Sequence, residues 1–372
     1  MRLSIAQIIS TGGFYGAERV LLELATYLHD EGYESRVVIL ESPGAAKLFR
    51  EARERGLPAT IIPCDGVFDR QSVAELRNYL IAQQVVIAHS HGYKSDLWLR
   101  RAAPPATRKV ATAHGWLSTN AKLRFYEWLD KRALRSFAHV VGVSPYLLET
   151  IRNSGVKREK SSIIENGVTL PSLSAATTSA SLRREFGFAP EAKLIVRVGR
   201  LDHLKGNDLL LKALAQLAPR HAAHLLFVGE GPEQPPLAQQ AKDLGIHTHV
   251  TFAGFRDDVA DILNAADLFV SPSLSEGLPM VLLEAMAARV PVVTTDVGAI
   301  NTVIRPGENG WLIPPGNANA LADALREALN APEQGRAFAE RAWQDYAANY
   351  SRAAMGAKYL QLYQNLLAAD VR

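Results

Sequence analysis

Two carboxylates, two cations and a glycine-rich turn account for most of the chemistry within reach of this 372-residue chain. In Ser275-Glu276-Gly277-Leu278-Pro279-Met280 and the following Val281-Leu282-Leu283-Glu284, Pro279 suits a first helical turn. Glu276 then lies in the loop before that helix, and Glu284 lies more than a turn inside an apolar one. A carboxylate in such surroundings needs donors, which sugar and ribose hydroxyls, an arginine or a neighbouring turn would each supply. Val198-Gly199-Arg200-Leu201-Asp202-His203-Leu204-Lys205-Gly206 sets Arg200 at a strand's end and Lys205 near a helix start. Cations beside backbone donors suit a diphosphate, although both also read as solvated surface charges.

The first glycine turn, Thr11-Gly12-Gly13-Phe14-Tyr15-Gly16, follows a strand and precedes a helix, where backbone N–H groups can approach an anion. An unliganded tight turn is the alternative. Its spacing departs from G-x-G-x-x-G, and the nearest acid after the second strand is Glu41, which disfavours a nicotinamide dehydrogenase. His114 follows the strand KVATA and precedes Gly115; a lone histidine there reads as structural or as a ligand contact. His89 and His91 are expected to point to opposite faces of their strand and to hold no metal, as are His247 and His249. The chain contains no Asp-x-Asp, a pair that would hold a divalent cation, so no metal is expected; no cofactor is expected either.

Residues 94–160 carry 14 Lys and Arg against 5 Asp and Glu, although the whole chain has a net charge of only +3. Within this block, Arg124, Trp128, Lys131 and Arg135 fall on one helical face, at spacings of four, three and four. That face suits an anionic membrane surface or a lipid-diphosphate acceptor. A solvated basic helix with Phe125, Leu129 and Phe137 in the core fits equally. No nucleic-acid module accompanies the charge.

The elements that would position these residues are legible as alternation. IAQIIS, RVVIL, ATIIP, VVIAHS, KVATAH and HVVGVS are separated by helix-period segments, the signature of a parallel sheet. The Ser/Thr/Ala-rich stretch VTLPSLSAATTSAS interrupts the pattern, which restarts at KLIVRVGR and ends in a helical tail. The chain therefore reads as an α/β protein of two Rossmann-like domains. Expected boundaries are 1–168 for the first domain, 169–190 for a linker, 191–350 for the second domain and 351–372 for a helix returning to the first. Composition agrees with packed domains: 48% hydrophobic and 21% charged residues exclude disordered or coiled-coil classes. Cys64 is the single cysteine, so no intramolecular disulfide or thiolate cluster can form. The amino terminus lacks a signal-peptide core, and no apolar stretch suffices to span a bilayer.

Taken in order, GGxxGAER, ATAHG, VGVS, IIENGV, VGRLxxxKG, FVGEGP and SEGLPMVLLEAMAARVPVV resemble the retaining glycosyltransferases of family four, the group 1 enzymes of GT-B fold. The resemblance covers almost the whole chain. It implies facing domains with a cleft between them, the second holding a nucleoside-diphosphate sugar and the first an acceptor. Glu284 would bind ribose and Glu276 the sugar ring, beside Gly277 and Leu278. Arg200 and Lys205 would hold the diphosphate, His114 would meet the sugar, Gly12, Gly13 and Gly16 would lie at the phosphates, and Phe255 and Arg256 at the nucleobase. The resulting expectation is transfer, with retention and without metal, from a UDP- or GDP-sugar to a lipid-linked or growing glycan of the bacterial envelope or an exopolysaccharide. The setting would be cytoplasmic or peripheral on the inner membrane face. A nucleotide-sugar epimerase and a catalytically silent membrane-docking subunit are the rivals.

Overall fold

The computed structural model describes residues 3–13, 16–64, 69–116, 121–170, 179–189, 191–217 and 222–369. Residues 1–168 with 349–372 make one compact unit, and 169–348 make a second. The first unit begins β1 (Ser4–Ser10), α1 (Gly16–Asp30), β2 (Glu34–Leu40), α2 (Ala45–Glu54), β3 (Ala59–Ile62), α3 (Arg70–Ala82) and β4 (Val85–His91). It continues through α4 (Tyr93–Ala102), β5 (Arg108–Ala113), α5 (Ala121–Leu134), β6 (His139–Gly142), α6 (Pro145–Asn153) and β7 (Ser161–Ile163). These strands form a parallel sheet in the order β3-β2-β1-β4-β5-β6-β7. A parallel sheet with helices on both faces buries its strands completely, and β1 shows it. Ile9 packs with Leu21, Leu22 and Ile39 on one face, while Ala6 and Ile8 pack with Val38 and Trp98 on the other.

The second unit opens with α7 (Ser179–Glu185), β8 (Lys193–Val198), α8 (Asn207–Leu217), β9 (Ala223–Val228), α9 (Gln234–Asp243) and β10 (Val250–Phe252). It continues with α10 (Val259–Ala265), β11 (Leu268–Ser271), α11 (Met280–Ala287), β12 (Val292–Thr295), β13 (Trp311–Ile313), α12 (Ala318–Asn330) and α13 (Pro332–Asp345). Its sheet order is β10-β9-β8-β11-β12-β13. The expected linker is thus partly helical. Residues 171–178 and 190 lie outside the described residues, but α7 belongs to the second unit, where Arg183 reaches Asp267 at 2.9 Å. Composition hid this helix because its fixing partner lies 84 residues away.

After the second unit the chain returns as α14 (Arg352–Ala368). Ser351 caps it by accepting from the Ala354 N–H. Two backbone bonds tie its start to Val168: Val168 N–H donates to the Tyr350 carbonyl at 2.9 Å, and Arg352 N–H donates to the Val168 carbonyl at 3.1 Å. Close approach of α14 to α1 requires Gly356, since a Cβ there would fall 2.2 Å from the Tyr27 ring. Tyr359 and Tyr363, four apart on one face of α14, are buried in the first unit.

Candidate active site

In an open parallel sheet, ligands gather where strand order reverses, beyond the carboxyl ends of the two strands that diverge. The second unit reverses between β8 and β11, so the turns after these strands lie side by side. Leu274 N–H donates to the Leu204 carbonyl at 2.8 Å and locks the two turns together. Lys205 Nζ and Ser273 Oγ both donate to Glu276 Oε1, at 2.5 and 2.8 Å. The approach depends on glycine at two places. A Cβ at Gly206 would fall 2.2 Å from the Pro272 carbonyl oxygen, and one at Gly298 would fall 2.0 Å from that of Glu276. Both have positive φ, +61° and +60°, a region that other residues enter only with strain.

Beneath this pair lies a residue that motif reading passed over. Arg197 is only 2% exposed, its Nε has no hydrogen-bond partner among the described residues, and the carboxylates of Glu276 and Asp202 act on it electrostatically. Burial draws its guanidinium down to about 10, against the opposing pull of those carboxylates, so it stays charged at neutral pH. A charged residue inside the apolar run KLIVRV was the available signal. Arg200, by contrast, is an exposed side chain 3.8 Å from Asp202, and the structure does not bring it to Glu276. Glu284 is buried at 4% exposure within α11. Glycines 277 and 298 join at the loop carrying Glu276, where Ala299 N–H donates to the Gly277 carbonyl at 3.0 Å. Leu278 and Pro279 then lead into α11, whose first turn has no side-chain cap.

Arg256 is already engaged within its own unit. Its guanidinium donates to both Asp258 oxygens, at 2.8 and 2.7 Å, and to Glu185 at the end of α7, and it stacks over Phe186. Those bonds raise its pKa further and tie it to the end of α7. Phe255 beside it is exposed at 62%.

The first unit reverses between β1 and β4, and there imidazoles and an amide meet. His91 lies 4.2 Å from His89, ring centre to ring centre, which corrects the expectation of opposite faces. Residues two apart on a strand share a face. His91 Nδ1 is 3.1 Å from His114 Nε2, and its Nε2 is 2.9 Å from Gln7 Oε1. His89 bridges Tyr363 and Thr112 at 2.6 and 2.7 Å. Burial lowers all three imidazoles, His114 to about 4 and the other two well below the usual histidine value, with their mutual repulsion adding to it for His89 and His91. The Gly12-Gly13 turn is partly occupied by its own contacts. Gly13 N–H already donates to Thr11 Oγ1 at 3.1 Å, and Gly12 has open space where a Cβ would sit. Gly16 begins α1.

Helix α5 also differs from its expected face. Phe125 and Trp128 are exposed at 53% and 52% and stack at 6.0 Å, so Phe125 is not core. Arg132 lies over Trp128 at 5.0 Å, whereas Lys131 lies over Trp116, and Arg135 Nε donates to the Ser154 carbonyl at 2.7 Å. The outward stripe of α5 is therefore Arg124, Phe125, Trp128 and Arg132, with Arg135 exposed just past the helix end and Lys131 drawn inward. Behind it, Trp116 donates to Asp130 at 2.9 Å, and burial pushes that carboxyl up to about 6 and the neighbouring Asp96 up as well.

Comparison with known proteins places this geometry in context. Residues 179–345 match the family model described as glycosyl transferases group 1, and residues 14–170 match that described as glycosyltransferase family 4. The lipopolysaccharide core biosynthesis glycosyltransferase LpsE of Rhizobium meliloti is 31% identical over 93% of this chain and 95% of its own. N-acetyl-alpha-D-glucosaminyl L-malate synthase of Bacillus anthracis is 32% identical, and the match spans about half of each chain, 51% of this one and 50% of that one. Among solved structures, Anabaena HepE in complex with UDP superposes with a TM-score of 0.85 at 22% identity, covering 98% of this chain and all of that one. No helix among the described residues is long and apolar enough to cross a membrane.

Proposed function

The chain belongs to the group 1 glycosyltransferases of family 4, whose fold is GT-B, and from that premise we propose that it moves a sugar from a nucleoside diphosphate to a hydroxyl acceptor with retention of anomeric configuration. The observation that carries the reading is the charged cluster of Lys205, Glu276 and buried Arg197 at the second unit's switch point. Departure of the nucleotide builds negative charge on its phosphate, and two fixed cations beside an uncapped helix start would stabilise that charge without reorganising. Glu276, held by Lys205 and Ser273, would meet hydroxyls of the sugar, Glu284 those of ribose, and His114 would orient the sugar. Arg200, on the same turn and open to solvent, is free to close on a diphosphate. We assign no step to a metal ion.

Support for a uridine nucleotide comes from the UDP bound by Anabaena HepE. Support for an envelope glycan acceptor comes from the lipopolysaccharide relative. The stripe of Arg124, Phe125, Trp128 and Arg132 would bring the first unit to an anionic membrane face carrying a lipid-linked acceptor. Purified protein should be incubated with UDP- and GDP-sugars, with and without lipid-linked glycan acceptors, in the presence of excess chelator. Transfer with net retention, surviving chelation, is expected. Activity abolished by chelator and restored by magnesium would overturn the metal-free assignment, and isomerisation of the sugar without acceptor would replace transfer by epimerisation.

A further inference from the structure

Direction, and not only position, is built into the polar network behind His114. Gln7 is fully buried in β1, with its amide oxygen 2.9 Å from His91 Nε2 and its amide nitrogen 3.4 Å from the Tyr363 hydroxyl. With the Gln7 amide oxygen on this side, His91 Nε2 carries the hydrogen, because an oxygen of this kind can only accept. A neutral imidazole has one N–H, which leaves His91 Nδ1 as an acceptor. His114 Nε2, 3.1 Å away, must then donate to it. The same logic closes the other end. Tyr363, accepting from the Gln7 amide, donates to His89 Nδ1 at 2.6 Å, and His89 Nε2 donates to Thr112 Oγ1 at 2.7 Å. Thr112 lies 2.7 Å from the Tyr359 hydroxyl. The two tyrosine hydroxyls of α14 accommodate this direction, and the orientation of the Gln7 amide sets it.

We propose that Gln7 and His91 are positioning residues that hold His114 as the Nε2–H tautomer, so that its ring presents Nδ1 as a hydrogen-bond acceptor to a hydroxyl of the donor sugar. The second half rests on the reading of His114 as a donor-sugar contact; the first does not. The chemical consequence is selection. A sugar with a free hydroxyl at that point donates to Nδ1, whereas a carboxylate or an ether oxygen there would set an acceptor against an acceptor.

The tautomer can be read directly from the ring ¹H–¹⁵N correlations of His114 in the full-length, ¹⁵N-histidine-labelled protein at neutral pH. A single Nε2–H form is expected, and an Nδ1–H form would overturn the proposal. Gln7→Met, which keeps the volume and removes the amide, should leave His114 as a mixture of tautomers and raise the donor KM about two- to fivefold with a smaller change in kcat. A pure Nε2–H form in a folded Gln7→Met protein would remove Gln7 from the relay. Should that variant fail to fold, Tyr363→Phe makes the same test, since losing the hydroxyl frees the amide to turn and should likewise mix the tautomers. Titrating the labelled wild-type protein with UDP-glucose separates the two halves. Shifts at Nδ1 support the sugar contact, while an unmoved ring with an intact Nε2–H form would sink the contact and leave the relay standing.

Discussion

At the reversal point of the first unit, Gln7, His91 and His114 are bonded in sequence, and His89 joins them through the Tyr363 hydroxyl, with burial favouring the neutral imidazoles. At the same topological place in the second unit, Lys205 and Arg197 lie beside Glu276 and Asp202. One strand order serves both sheets; the side chains at the divergence decide whether it offers fixed charge or oriented neutral groups. Charge suits a leaving phosphate, whose negative charge grows during reaction. Neutral acceptors and donors suit sugar hydroxyls, which do not change charge.

The comparison breaks most visibly if the charged side does not dominate turnover. Lys205→Ala removes one of the two donors to Glu276 Oε1 and should lower kcat/KM by about 1.5 to 3 kcal/mol, whereas His114→Ala should cost about 1 kcal/mol, the worth of one neutral hydrogen bond. Steady-state kinetics giving equal losses would erase the distinction. Glu276→Gln should act on kcat and Glu284→Gln on the affinity for donor, since the first is assigned to the reacting sugar and the second to ribose.

A second test is steric. Gly298→Ala places a Cβ against the Glu276 carbonyl at φ +60°, costing on the order of 1 to 3 kcal/mol in strain. The Glu276 loop should absorb it, so donor affinity measured by calorimetry should fall while the first unit's hydrogen-exchange protection stays unchanged. Loss of protection in both units would show that the loop is not the yielding part.

Acid should separate the units more gently. Imidazoles held below their ordinary value bind protons only after unfolding, so their contribution is intact above about pH 6.5 and is lost as pH falls toward about 4. Asp130, raised to about 6, acts in the opposite sense, its contribution declining as pH rises through that value. Hydrogen exchange followed from pH 6.5 to 4.5 should show β4 and β5 losing protection before β8 and β11. His224 in the second unit is also lowered to about 4, so simultaneous loss would assign the acid sensitivity to that residue instead.

The smallest effect concerns the outer stripe of α5. Replacing Arg124, Trp128 and Arg132 together by Ser should reduce sedimentation with anionic vesicles at low salt, each cation contributing about 1 kcal/mol before screening. Nucleotide binding should be untouched. Wild-type protein that ignores such vesicles would make the stripe a solvated face.

Much of this architecture could be read from residue order alone. Short β-branched runs alternating with helical periods are enough to imply two doubly wound sheets, and strand-to-helix turns implied where Lys205 and Glu276 would lie. Arg197 escaped because an arginine within KLIVRV looks like a strand residue until its burial is known. The pairing of Arg256 with Glu185 had no local signal, because Glu185 sits 71 residues earlier, in a stretch whose composition concealed α7. His89 and His91 were misplaced although period two alone puts them on one face. The relay to Tyr363 had no local signal, since both partners are ordinary residues until the chain folds back.

That return has a bearing on how the protein is made. His89 and the Tyr363 hydroxyl it bonds are separated by 274 residues, so at about 5 to 20 residues per second the ribosome exposes β4 roughly 15 to 55 s before it synthesises the helix that completes β4's surroundings. Throughout that interval the nascent first unit carries an uncovered face where α14 will dock, while the second unit emerges with all its own strands in hand.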